Sequence, residues 1–240
     1  SLMTALFKSR QVNVVLLDSV ALVKSQGDYL NAVADIPASE QTFAAALARQ
    51  SAQVYVMAGF VSSNAQGELC LLGRNGSDYS AAIVAAAVKA SVCEIWTDVD
   101  GVLTADPRKV PQAFTIHKMT YAEAMEMSHF GAKVIYPPTI QPALTKKIPL
   151  YIKNTFNPTF EGTLVSNHSE MSDNPVKGIS SIQHIALLTL QGSGLIGVPG
   201  ISGRLFSGLA QKSINIILIT QGSSEHSISF AIQPDQALLA

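Results

Sequence analysis

The sequence predicts an α/β protein, a mostly parallel sheet sandwiched by helices, followed by an incomplete ferredoxin-like module. Three observations point there. Short, almost wholly apolar runs alternate with helix-length stretches, the pattern of strands buried on both faces. Hydrophobic residues make up 48% of the 240 residues and charged residues 14%, an interior-rich globular composition. A polar, turn-rich stretch, "SNHSEMSDNPVKG", then interrupts the pattern, and the order beyond it becomes β-α-β-β. The expected boundaries are a main domain over residues 1–170, a linker over 171–181 and a second module over 182–240.

"VNVVLLDS" (Val12–Ser19) reads as a buried strand ending in Asp. "SEQTFAAALARQ" (Ser39–Gln50) is a helix that Ser39 could cap, and "QVYVMAGFVSS" (Gln53–Ser63) is a second buried strand. The stretch from Gly76 to Ala90 is a helix built almost entirely of small apolar residues. "SVCEIWTDVDG" (Ser91–Gly101) is a third strand. "TYAEAMEMSHF" (Thr120–Phe130) carries a capping box, Thr120 with Glu123. Helix "TIQPALTKK" leads into strand "IPLYIKN" (Ile148–Asn154). In the second module, strand "HIALLTL", helix "ISGRLFSGLAQKS" and strands "INIILIT" and "SISFAI" follow in order, and a further helix starts at an Asp235 N-cap.

A net charge near −1 gives no electrostatic footprint for nucleic acid or an anionic membrane. No apolar run reaches the roughly 18 residues of a membrane span. Cys70 and Cys93 sit in apolar contexts, which fits reduced thiols in a cytoplasmic protein. His117, His129, His168, His184 and His226 lack metal-ligand spacing, so no metal site is expected. The chemistry concentrates at strand ends and helix starts, where open α/β sheets bind ligands. Arg74 precedes Gly76, Ser77 and Asp78 at the start of the Ala-rich helix, and a guanidinium there can grip a carboxylate or phosphate. "TDVDG" places a hydroxyl and two carboxylates after a strand; Arg108 and Lys133 add cations that suit a polyphosphate. Each also has a bland reading: a helix cap by Ser77 or Asp78, a loop turn, a solvated charge.

Together, "LGRNGSDYSAA", "EIWTDVDGVLTADPR", "MTYAEAMEMSHFGAKVIYP" and "IKNTFNPTFEGTLV" resemble the aspartate kinases of the amino-acid kinase family. They are most similar to the kinase part of the bifunctional aspartokinase–homoserine dehydrogenases. "VKGIS" and "LITQGSSEHSISF" resemble the ACT regulatory module of the same enzymes. The resemblance implies the C-terminal part of an amino-acid-kinase domain followed by a partial ACT domain. It implies transfer of the γ-phosphoryl group of MgATP to the β-carboxylate of L-aspartate, the first step of threonine, methionine and lysine biosynthesis. No tightly bound cofactor is implied. Arg74 would hold the aspartate carboxylate, with Asn75, Gly76 and Ser77 lining the site and Asp78 organising the centre. Thr97, Asp98 and Leu103 would meet the nucleotide, Arg108 its phosphates and Lys133 the terminal phosphates. Ile201, Asn215 and Gln221 would bind an amino-acid effector, threonine before lysine, and ACT would carry homo-oligomerisation.

The chain departs from the family pattern at Leu103, where many relatives have Tyr, at Asn75 for Gly and at Tyr136 for His. The family's Lys-Phe-Gly-Gly-Thr-Ser motif, an upstream substrate-binding Glu and the dehydrogenase portion are not in this sequence. The chain is therefore expected to be an excised fragment with little activity of its own, Ser1-Leu2 being native or a vector remnant. A glutamate kinase of the same fold is the alternative enzyme, which the ACT-like tail argues against. A non-catalytic, effector-binding regulatory fragment is the alternative of another class.

Overall fold

The computed structural model describes residues 1–129, 136–168, 176–192, 197–222 and 227–240. They form two compact units, Ser1–Ser181 and Ile182–Ala240. The first unit opens with α1 (Leu2–Ser9), β1 (Val14–Leu17), α2 (Ser19–Leu22), β2 (Ser25–Gln26), β3 (Val33–Ala34) and α3 (Ile36–Arg49). Strands β4 (Val54–Met57), β5 (Val61–Ser63) and β6 (Leu69–Leu71) lead to α4 (Gly76–Ala87) and β7 (Cys93–Thr97). The unit continues with β8 (Lys118–Thr120), α5 (Tyr121–His129), α6 (Pro137–Lys146), β9 (Leu150–Asn154) and β10 (Thr163–Ser166).

Strand β1 pairs parallel with β4. The larger sheet has the order β7-β9-β10-β8, parallel at β7–β9 and β8–β10 but antiparallel at β9–β10. Helix α4 is the shared element of the unit. Its Ala85 and Ala86 enter a core with Ile95, Met119, Ile140, Leu150 and Val165. Its Tyr79, Ile83 and Ala87 enter a second core with Val23, Phe43 and Leu72. Alanine on that face lets neighbouring elements approach the helix axis closely, and Ala82, Ile83 and Ala86 have no exposed surface.

Several expectations need correction. The strand expected over Gln53–Ser63 is two, β4 and β5, because the backbone turns at Ala58-Gly59-Phe60, where Phe60 has φ 77°. Strand β5 then forms a hairpin with β6. Helix α3 is capped by Asp35, whose side chain accepts from the Ala38 N–H at 3.0 Å; Pro37 occupies its first turn. Ser39 is already inside the helix, buried, donating back to the Asp35 carbonyl at 2.8 Å. The capping box of α5 is reciprocal: Glu123 N–H donates to the Thr120 hydroxyl at 3.1 Å, and Thr120 N–H to the Glu123 carboxylate at 2.7 Å.

The second unit comprises β11 (Ala186–Gln191), α7 (Ile201–Gln211), β12 (Leu218–Gln221) and β13 (Ser227–Ile232). The sheet is antiparallel, with β13 between β11 and β12. Leu209 and Ile214 pack with Phe230 and Ile232 in its core. Asp235 starts no α-helix; it lies inside a 3-10 turn, Pro234–Gln236, whose N-cap is Gln233. Among the described residues, no helix is long and apolar enough to cross a membrane.

Because α4 has no free face at Ala86, enlarging that side chain must displace a core neighbour. Ala86→Leu is expected to cost about 1–3 kcal/mol of stability. Val88→Leu, at a partly exposed position, should stay within about 0.5 kcal/mol. Urea unfolding of both variants checks the contrast.

Candidate active site

The start of α4 is built by close packing against the Ala58-Gly59-Phe60 turn. The Ser80 hydroxyl, buried, accepts from the Phe60 N–H at 2.7 Å and donates to the Gly76 carbonyl at 2.6 Å. A Cβ on Gly76 would lie 2.5 Å from the Phe60 ring, so any larger residue there would have to displace that ring. The N-cap is Asn75, in the left-handed region at φ 53°, ψ 33°, and its side chain makes no capping bond. Neither Ser77 nor Asp78 is the cap. The first turn therefore points backbone N–H groups outward, where an anion is favoured. Arg74 and Ser77 are exposed beside it, and Asp78 is half-buried. Burial pushes the Asp78 carboxyl above its ordinary range, against a smaller opposing effect of the Ser77 hydroxyl.

A second centre lies beyond the carboxyl end of β7. A cavity of about 540 Å³ is lined by Asp98, Asp100, Leu103, Phe114, His117 and Phe160, among others. The Thr97 hydroxyl donates to Asp98 at 3.2 Å. Fully buried Thr163 holds the loop from behind: its hydroxyl accepts from Val102 N–H at 2.8 Å and donates to the Ile116 carbonyl at 2.7 Å. Gly101, at φ 113°, lets the loop pass that hydroxyl, which a Cβ would approach to 2.5 Å. The Phe160 and His117 rings pack at 5.7 Å, tilted by 45°.

The structure thus brings Asp98 and Leu103 to one cavity, with Thr97 beside them. Arg108 does not line it. Its guanidinium makes two bonds to Asp106, at 3.0 and 2.9 Å, with 75% of the side chain exposed. That pairing holds the Asp106 carboxyl down at about 2. Lys133 lies outside the described residues. Asp100, the second carboxylate of "TDVDG", lines the cavity too, whereas Asn154 and Phe160 escaped the sequence reading and His117 reads there only as an ordinary histidine. One available signal was Asn154, a polar residue continuing the alternating burial of β9.

In the second unit a cavity of about 330 Å³ brings Ile201, at the start of α7, together with Gln221, at the end of β12. Asn215 is exposed on the connection before β12 and does not line it. Much of "GSGLIG" and of "QGSSEH" lies outside the described residues.

A strand-end cavity and a helix start without a side-chain cap, both on a mostly parallel sheet, fit an α/β ligand-binding protein. The chain matches the amino acid kinase family over residues 1–154 and belongs to it; residues 188–240 match the ACT domain. It is 46% identical, over its whole length, to a bifunctional aspartokinase/homoserine dehydrogenase of Haemophilus influenzae, of which it spans 29%. The crystal structure of E. coli aspartokinase III in complex with aspartate and ADP (R-state) superposes with a TM-score of 0.82 at 34% identity, covering 97% of this chain and 52% of that one. The complex of the same enzyme with lysine and aspartate (T-state) gives 0.73 at 33% identity, covering 99% and 55%.

The desolvated Asp78 makes a signed prediction. A carboxyl whose folded pKa is raised binds its proton more tightly when folded, so it destabilises the fold once pH exceeds its ordinary value near 3.8. Asp78→Asn should therefore raise the melting temperature at pH 7, and the gain should vanish as pH falls below that value. Thermal melts of both proteins between pH 3 and 7 test it; a loss of stability at pH 7 would contradict the assigned burial cost.

Proposed function

We propose that this chain carries the aspartate- and nucleotide-binding part of an aspartate kinase, which transfers the γ-phosphoryl group of MgATP to the β-carboxylate of L-aspartate. The observation that carries the reading is the likeness, along 97% of the chain, to an enzyme holding aspartate and ADP. The site chemistry supports it. Arg74 stands beside the α4 N-terminus, so one substrate carboxylate meets a guanidinium and helix N–H groups together. Asn75, Gly76 and Ser77 flank the bound aspartate, and Asp78 organises the centre. Thr97, Asp98 and Leu103 hold the nucleotide, whose phosphates exchange with Asp106 for Arg108; Lys133 takes the terminal phosphates. The acceptor carboxylate is already a nucleophile, so positioning and charge neutralisation supply the catalysis.

The reading separates the two ligands. Arg74→Ala should weaken aspartate binding about tenfold to a hundredfold, the loss of a charge-assisted pair. MgADP affinity should change less than about twofold, since the nucleotide residues lie elsewhere. Titration calorimetry with each ligand decides; loss of MgADP binding with aspartate binding intact would overturn the assignment of Arg74.

We further propose that the second unit is a regulatory ACT module whose 330 Å³ cavity takes threonine. Ile201 offers an apolar wall and a helix-start N–H, and Gln221 an amide for a small polar ligand. Exposed β12, at the sheet edge, suits pairing with a second copy. Gln221→Ala should weaken threonine binding about tenfold. Heat from lysine and none from threonine in the unaltered chain would refute the effector.

A further inference from the structure

Asp100 lines the cavity beyond β7 and is held there by two side-chain amides. Its Oδ1 accepts from the side-chain amide of Asn154 at 2.9 Å and from that of Asn157 at 3.2 Å. Asn154 ends β9 and is only 9% exposed. Its own Oδ1 accepts from the Phe156 N–H at 2.9 Å, which fixes which way its amide faces. Among the described residues, no ion pair reaches Asp100. We infer that Asp100 and the Asn154–Asn157 pair are positioning residues: they pin the loop bearing Asp98 and Leu103 in its nucleotide-binding shape, and Asp100 acts as a hydrogen-bond acceptor rather than as a charge.

Two neutral amides converge on one oxygen, and an amide oxygen in the same place would accept both bonds in the same geometry, each somewhat weaker than to a carboxylate. The pin sits two residues from Asp98 and three from Leu103, which line the cavity on either side of it. Behind it, the Val102 N–H is already held by buried Thr163, and Thr155 N–H donates to the Thr97 carbonyl at 2.9 Å. The side-chain bonds to Asp100 complete a clamp between this loop and the turn that follows β9. Without them, the loop must be ordered at the moment the nucleotide binds, which lowers affinity.

The inference rests on the nucleotide reading of this cavity, so the test separates the two. MgADP and aspartate are titrated into the unaltered chain, Asp100→Ala, Asp100→Asn and the double variant Asn154→Ala/Asn157→Ala. Asp100→Ala and the double variant should each weaken MgADP about tenfold, with aspartate affinity within about twofold. Asp100→Asn should recover most of the MgADP affinity lost in Asp100→Ala. An Asp100→Asn protein as weak as Asp100→Ala would show that the charge matters, and overturns the inference. MgADP binding that neither Asp100→Ala nor the double variant alters also overturns it, while the nucleotide reading stands. Failure of the unaltered chain to bind MgADP overturns both.

Discussion

The sharing of α4 between two hydrophobic cores is the constraint on which the first unit depends. One side of the helix meets the β7–β9–β10–β8 sheet and α6, the other meets α3 and the segments around Val23 and Leu72. A helix enclosed in this way has no lateral face for chemistry, so its polar groups collect at the end. That explains why Arg74, Asn75, Ser77 and Asp78 are set directly against a run of Ala, Ile and Val. It also fixes the loop in space. Any slide of the helix start would break the Ser80 bonds to Phe60 and Gly76 and drive Gly76 into the Phe60 ring.

The second centre follows the same logic with different materials. There a buried hydroxyl, Thr163, and a side-chain amide, Asn154, hold a strand-end loop from below through Val102 and Asp100, while Asp98 is exposed. Polar groups buried in these places are costly unless satisfied, and here they are satisfied by backbone N–H, backbone carbonyl and carboxylate. Asp78 is the exception that carries a cost: desolvation with only a neighbouring hydroxyl to offset it. Unfavourable burial of a titratable group beside an exposed Arg is a feature of functional sites more than of scaffolds.

Legibility in the sequence tracked the range of each interaction. The α5 capping box spans three residues and could be read directly, as could the Ala-rich helix with its polar start. Strand β10 could not, since its four residues follow a turn-rich stretch and gain strand character only by pairing with β8 and β9. The break inside Gln53–Ser63 depends on Phe60 at positive φ, which apolar periodicity hides. At the sites, Arg74 and Asp98 lay in recognisable loops, whereas the Asn154–Asp100 bond joins positions 54 apart. Arg108 shows the same limit of range from the other side. Its residue type suggested phosphate, but a carboxylate two positions away takes both of its bonds in this structure.

The last residues of the first unit are sewn onto the loop that follows Leu103. Ile179 N–H donates to the Thr104 carbonyl at 2.8 Å, one residue past Leu103. Lys177 pairs with Glu123 at 2.8 Å, on the carboxylate that also caps α5. A Cβ on Gly178 would meet the Met127 methyl at 2.9 Å, so the chain is pressed flat there. Tension along this segment would thus be felt first at the loop after Leu103 and at the α5 cap. Such a route supplies a connection, not a coupling energy. Any ligand acts at a distance only to the extent that it binds two arrangements of a protein unequally.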